Sequence, residues 1–335
     1  MQRMRILLIL SCLLVSSGAR ADSDVRDYEA IAYAPNNTVV AFGYFRHVSD
    51  HALSVSLAVF RAVYIMRFGQ FAFIPLDVDL SVQDITAYAP ANAVLPMAPS
   101  FESYALHSSG VGDIDYAPNI AYVIPEGADG TSHTVLSFNP RITLPTGTYD
   151  DTRLINTGSN RYTFKPQLAI GQRFLSAFTA EVVANMAFHS SNDSFVVPGM
   201  GGVLMNTKMS QKPDISVDAH VGFDLSRSFY LGASYYVLAA GEQSLPAYGN
   251  VIATKAQLVQ SLRFSFGIRI TPTTVALLQY NQDVSATNGA TIQRWFGVRL
   301  SHVFVEQPEP SVPEPRKLPP ERVPNVVDPS HDESQ

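Results

Sequence analysis

Cysteine is almost missing from this chain: Cys12 is the one thiol among 335 residues. It lies in an N-terminal segment that opens with Arg3 and Arg5, continues through an apolar run at 6–15 and ends in Ala19-Arg20-Ala21. A basic start, a short apolar run and a small-x-small site form the pattern of a secretory signal peptide, expected at 1–21 with the mature chain from Asp22. The mature chain then has no disulfide and no thiolate chemistry, in a compartment that would permit disulfides. Long apolar runs are missing as well. The run at 6–15 falls short of the ~20 residues that a spanning helix needs. The most apolar later segment, 52–68, is broken by Arg61 and Arg67. If the protein spans a membrane, only a closed β-barrel remains. Basic excess is also missing. Lys and Arg total 23 against 29 Asp and Glu, a formal charge of -6. Losing Arg3, Arg5 and Arg20 with the signal lowers it to -9. That argues against nucleic acid as a partner.

What the chain does have is alternation. Residues 215–225 read I-S-V-D-A-H-V-G-F-D-L, with every second residue apolar. Successive strand side chains point to opposite faces, so one face is apolar and the other carries Asp218, His220 and Asp224. The pattern recurs near 37–47, 55–68, 70–83, 111–124, 133–144, 161–174, 177–189, 214–225, 228–239, 256–269, 273–284 and 291–304. About twelve strands are an even number, as single-chain bacterial barrels require. A strand of ~10 residues is ~33 Å long, and a tilt of ~40° brings its height to the ~25 Å apolar band of an outer membrane.

The links between these strands alternate in length. They are short at Gly69, at 175–176, 226–227 and 270–272, and moderate at 125–132. They are long at 84–110, 145–160, 190–213 and 240–255, while 48–54 and 285–290 are shorter. Short periplasmic turns and long external loops are the habit of outer-membrane barrels. The expected fold is therefore all-β: a transmembrane, antiparallel, up-and-down β-barrel over 22–304. After Phe304 the composition changes to proline among charged residues, with no aromatic. Residues 305–335 read as a disordered periplasmic tail, or as an extended segment for a periplasmic partner.

The alternation assigns an inward face. It carries Asp77 and Asp79, then Asp113 and Asp115, then Arg141, then Arg161, Lys165 and Arg173, then Glu181, Asp218 and His220, then Arg263, Arg269 and Arg299. These are the candidate lumen-lining residues. Buried charges need partners, so ion pairs across the lumen are expected. Two uses are open: a solute path with charged walls, or a polar core filling a narrow barrel. Ser216, Asp218, His220 and Asp224 share a face, but strand-mates four apart are ~13 Å from one another, too far for a catalytic triad. The paired aspartates lack the dense oxygen spacing of a calcium loop. No catalytic, cofactor or metal residue is assigned. Trp295 and the Tyr and Phe residues at strand ends are expected in the interfacial girdles.

Four segments carry a family resemblance: G-V-G-D at 110–113, L-P-T-G-T-Y-D from Leu144, N-T-G-S-N-R-Y-T-F-K-P-Q from Asn156 and D-V-S-A-T-N-G from Asp283. In order and spacing they resemble the bacterial outer-membrane family named after the meta-pathway of phenol degradation. The resemblance covers about residues 30–304. The proline-rich tail departs from that family's usual ending at the last strand. The resemblance implies a porin-like transporter barrel associated with aromatic compounds, and brings no catalytic motif. The expected location is the bacterial outer membrane. The expected partners are outer-membrane lipid, the barrel-assembly machinery and a small, hydrophobic or aromatic solute that crosses passively or binds. Two other readings stay open: a structural or adhesive barrel with a plugged lumen, and an outer-membrane enzyme acting on lipid.

Overall fold

The computed structural model describes residues 34–49, 53–87, 107–126, 132–174, 177–198, 204–247, 250–288 and 292–304. The expected signal peptide and proline-rich tail lie outside the described residues. Everything regular is strand: β1 (Thr38–Ser49), β2 (Leu53–Phe68), β3 (Phe71–Ala87), β4 (His107–Val111), β5 (Ile114–Tyr116), β6 (Asn119–Glu126), β7 (Ser132–Leu144), β8 (Thr163–Phe174), β9 (Phe178–His189), β10 (Asn192–Pro198), β11 (Leu204–Gln211), β12 (Asp214–Asp224), β13 (Phe229–Ala240), β14 (Gln243–Ala247), β15 (Asn250–Ala253), β16 (Gln257–Thr271), β17 (Thr274–Ala286) and β18 (Arg294–Phe304).

The main sheet closes on itself. Neighbours in sequence pair antiparallel, and β1 pairs with both β2 and β18, from Val39 opposite Phe304 to Ser49 opposite Arg294. β4, β5 and β6 are one wall position, interrupted at Gly112-Asp113 and at Ala117-Pro118. Pro118 has no N–H to give the ladder. Counting those three pieces once, twelve spans make a closed antiparallel barrel. Their ends fall within about four residues of the expected ones. The sequence reading missed two hairpins. β10–β11 and β14–β15 form a separate four-stranded sheet in the long links after β9 and β13. Their strands are short, and Phe195, Val197, Met209 and Leu245 pack a small core of their own.

Alternation decides which side chains meet lipid. On β12, Asp214, Ser216, Asp218 and His220 are buried, while Ile215, Val217, Val221 and Phe223 are exposed. The same holds on β8, where Leu168 stands 63% exposed between buried Lys165 and Gln167 on the inside and Ala169. Outward aromatic rings pair at strand ends: Phe71 with Tyr122 at 4.8 Å, Phe174 with Phe178 at 6.0 Å, and Phe229 with Phe266 at 5.9 Å. Phe164 and Phe188, at 6.5 Å, mark the other rim. These rings supply the interfacial girdles. Trp295 does not join them. It points inward and is 5% exposed, because its register opposite Val48 puts it on the lumen face of β18.

The interior has layers. At the short-turn end of one wall, Val40, Val63, Ile65, Ile74, Val123 and Val135 pack into an apolar cluster. This corrects the expectation of a polar interior throughout. Charged and aromatic side chains fill the level above it. A ladder with no free edge resists detergent until heated. The folded protein should therefore migrate faster than the boiled protein in detergent gels. Identical mobility before and after boiling would contradict the closed barrel.

Candidate functional site

The lumen site is built from inward side chains of the barrel and from one loop. On β2, Arg61 lies in the ladder opposite Phe42 of β1 and Asp79 of β3. Its Nε and one terminal nitrogen donate to the two oxygens of Asp77 at 2.7 and 2.6 Å. Its Nε is also 3.4 Å from Asp79. Arg141 of β7 lies 3.6 Å from Asp79 and 3.7 Å from Asp115. These ion pairs form along one stretch of wall, between adjacent strands or strands one position apart, where the sequence reading expected them across the lumen. Geometry of this kind is what lets buried charges offset the cost of leaving water.

The other candidate residues spread through the lumen. Arg161 is buried just before β8, where it donates to Gln211 at 2.8 Å. Lys165, Glu181, Asp218 and His220 are buried on the inner faces of β8, β9 and β12. Arg173 pairs with Asp224 at 2.9 Å near the short-turn end. Arg263 and Arg299 point into the lumen from β16 and β18. Arg269 does not share their position: it is exposed near the last turn of β16, past the barrel interior.

Sequence reasoning missed a second group: Phe42, Tyr44 and Arg46 of β1, with Trp295. β1 is apolar on both faces around Phe42, Tyr44 and Phe45, so alternation alone does not say which side is inward. The arginines show it. Arg46 lies over Trp295 at 4.8 Å and over Tyr44 at 5.4 Å. Arg263 lies 5.3 Å from the Trp295 ring. Arg61 and Arg299 lie 5.5 and 5.4 Å from the Phe42 ring. Contacts of this range are cation–π interactions.

The link between β7 and β8 turns inward. Three of the four motif segments meet at its base. The Asp113 carboxylate accepts from the Gly147 amide at 2.9 Å and the Ser159 amide at 2.8 Å, and also from the Ser159 hydroxyl. Thr148 N–H and the Thr157 hydroxyl donate to the Val111 carbonyl at 2.8 and 2.9 Å. Gly147 and Gly158 touch backbone to backbone: a Cβ on either would fall 2.7 Å from the other. The motif glycines permit this close approach. Further along, Asp150 accepts from the Thr152 hydroxyl and amide, which hold its carboxyl below the ordinary range. Burial pushes the Tyr149 phenol up, so it stays a donor, to the Ser194 carbonyl at 2.8 Å. The fourth motif ties the β17–β18 link, where Asp283 accepts from Gln293 N–H at 2.9 Å.

The tip of the inward loop reaches the far wall. Ile155 is buried with Val48, Val55, Ile85 and Trp295, at the loop-side ends of β1, β2, β3 and β18. In the barrel order β18 and β1 stand across from β7 and β8. The loop therefore crosses the mouth. Below it lies a cavity of about 290 Å³, walled by the loop, the aromatic rings and the lumen charges. His189 and Asp214 also border it. His189 Nε2 lies 2.9 Å from Asp214, whose other oxygen accepts from Gly241 N–H at 2.7 Å and Gln211 at 2.8 Å. This hub fastens the long links to the wall.

A Ser–His contact of hydrolase type is present, between Ser234 Oγ and His220 Nδ1 at 2.7 Å. Both residues are buried, and neither borders the cavity. The contact belongs to the packed wall, out of reach of a substrate in that cavity.

The model of the family described as "Putative MetA-pathway of phenol degradation" matches residues 35–296, from before β1 into β18. The chain belongs to this family. All four motif segments fall inside the match, so the loop base and its Asp113 clamp are built from segments of this family member that the match covers. An outer-membrane channel from Pseudomonas putida F1 is similar in fold, with a TM-score of 0.68 at 17% identity over 84% of this chain and 100% of that one. The Pseudomonas putida toluene transporter TodX superposes more loosely, with a TM-score of 0.44 at 8% identity over 84% of this chain and 94% of that one. No curated protein matches the chain.

Proposed function

We propose that the protein is a passive outer-membrane channel that admits a small, aromatic or otherwise hydrophobic solute. The observation that carries this reading is the cavity under the inward loop. It is enclosed by the barrel, close to the size of a small ligand site, and lined by aromatic rings beside charged groups. A barrel with a purely mechanical role has no need of such a chamber. The apolar cluster at the short-turn end suits a hydrophobic solute better than a hydrated ion. The family membership adds support, because its description concerns phenol degradation. Passage in this reading is downhill. The Ser–His pair stands away from the cavity, which supports a channel over a lipid-modifying enzyme.

The test is transport in a defined membrane. The full chain, refolded into lipid vesicles, should let a small aromatic solute equilibrate faster than protein-free vesicles do. In planar bilayers the lumen should favour anions, because its cavity is lined by more basic than acidic side chains. Arg299→Glu should move the reversal potential toward cations. Absence of solute flux and of conductance, both in wild type and after shortening the inward loop, would leave the plugged structural barrel as the reading.

A further inference from the structure

We infer that the cavity is a binding site for an aromatic carboxylate, a planar ring bearing one negative charge. This rests on the channel reading above and names its solute class.

Charge gives the first argument. Among the described residues, eight basic side chains and four carboxylates border the cavity. The carboxylates are also committed elsewhere. Asp113 is turned to the loop amides, and Asp214 to His189, Gln211 and Gly241. Asp79 and Asp115 face Arg61 and Arg141. Arg61 and Arg153 are in turn paired with Asp77 and Asp150 just outside the lining, so the lining keeps a smaller positive surplus, strengthened by the low-dielectric walls around it. A cation would be repelled. A neutral ring would gain nothing from the field.

Shape gives the second argument. Phe42, Tyr44 and Trp295 form an apolar strip on the inner faces of β1 and β18, continued on β2 by Leu57 and Val59. Cross-strand register holds the strip together: Val48 lies opposite Trp295, and Tyr44 lies opposite Val59. At this level of the lumen the strip stands among charged and polar side chains. It suits the flat face of an aromatic ring. The guanidiniums of Arg46, Arg263 and Arg299 sit 4.8–5.4 Å from these ring centroids. A guanidinium stacked on a ring still presents its in-plane N–H fork to a carboxylate. One solute can thus set its ring against the apolar side of the strip at Leu57 and Val59 and its carboxylate among the arginine edges. A ring with a carboxyl group fits within about 290 Å³.

The chain supplies its own reporter. Trp295 is the only tryptophan, and it borders the cavity. The folded full-length protein in detergent is titrated with benzoate, benzyl alcohol, benzylamine and acetate while Trp295 emission is followed. Benzoate should shift or quench that emission saturably, with affinity about tenfold above those of benzyl alcohol, benzylamine and acetate. The double variant Arg46→Gln/Arg263→Gln, shown to be folded by its heat-modifiable migration, should lose about tenfold in benzoate affinity and little for benzyl alcohol. Isothermal titration of a Trp295→Phe variant checks that the optical signal reports binding at the site. If benzyl alcohol or benzylamine binds as tightly as benzoate, the carboxylate assignment is overturned while the aromatic-channel reading stands. If no aromatic compound binds or crosses, both fall.

Discussion

Replacing Asp113 with alanine is expected to open the barrel mouth and raise single-channel conductance several-fold. The carboxylate holds both arms of the inward loop, through the amides of Gly147 and Ser159 and the Ser159 hydroxyl. A hydrogen bond to a charged acceptor contributes about 1.5–3 kcal/mol, so losing three at once removes most of what fixes the loop base. The tip is held separately by burial of Ile155 among Val48, Val55, Ile85 and Trp295. Burying such a side chain is worth about 1.5–3 kcal/mol. Asp113→Ala should therefore produce a loop that visits open states, and Asp113→Ala/Ile155→Ser one that stays open longer. The barrel ladder is untouched by either change, so urea midpoints should move little. Planar-bilayer recordings of the three proteins measure this. Equal conductance in all of them would show that the loop is not the constriction.

The second large effect concerns the lipid face. Leu168→Arg should destabilise the barrel by ~2–4 kcal/mol, the cost of a charge near the bilayer midplane. Leu168 lies midway along β8 and is exposed on its outer face. Phe223→Arg should cost only ~0–1 kcal/mol, because a charge near an interface reaches water. Phe223 is one residue from the short-turn end of β12 and pairs in register with Phe178 at a turn. Urea midpoints after refolding into vesicles compare the two. Equal losses would mean that the depth of these strands has been misassigned.

The second expectation starts from the alternation, and so did the strand boundaries. Residues 215–225 show why so much was legible. Lipid accepts apolar side chains only and the lumen of this span accepts polar ones, so a period of two is imposed on β12 by both surroundings at once. Lumen residues followed where that contrast was strong, as with Asp77, Lys165 and Asp218. They were illegible where the inner face is apolar. β1 carries Phe42 and Tyr44 inward and Phe45 outward, so nothing in its local pattern separates the two sides. Arg269 failed for another reason: parity gives a side of the sheet, while depth along the strand decides whether that side is enclosed.

The sequence by itself determined the count of spans, their alternation and the end of the barrel at which the long links fall. Each of these is a local property, set by one residue and its near neighbours against water or lipid. Only the tertiary structure decided that the β7–β8 link crosses the mouth, that Asp113 clamps it, and that Trp295 sits among arginines from β1 and β16. Those contacts join residues far apart in the chain, and no periodicity encodes them. They arise when closing β1 onto β18 brings opposite walls within reach of one loop, a condition that exists only in the closed barrel.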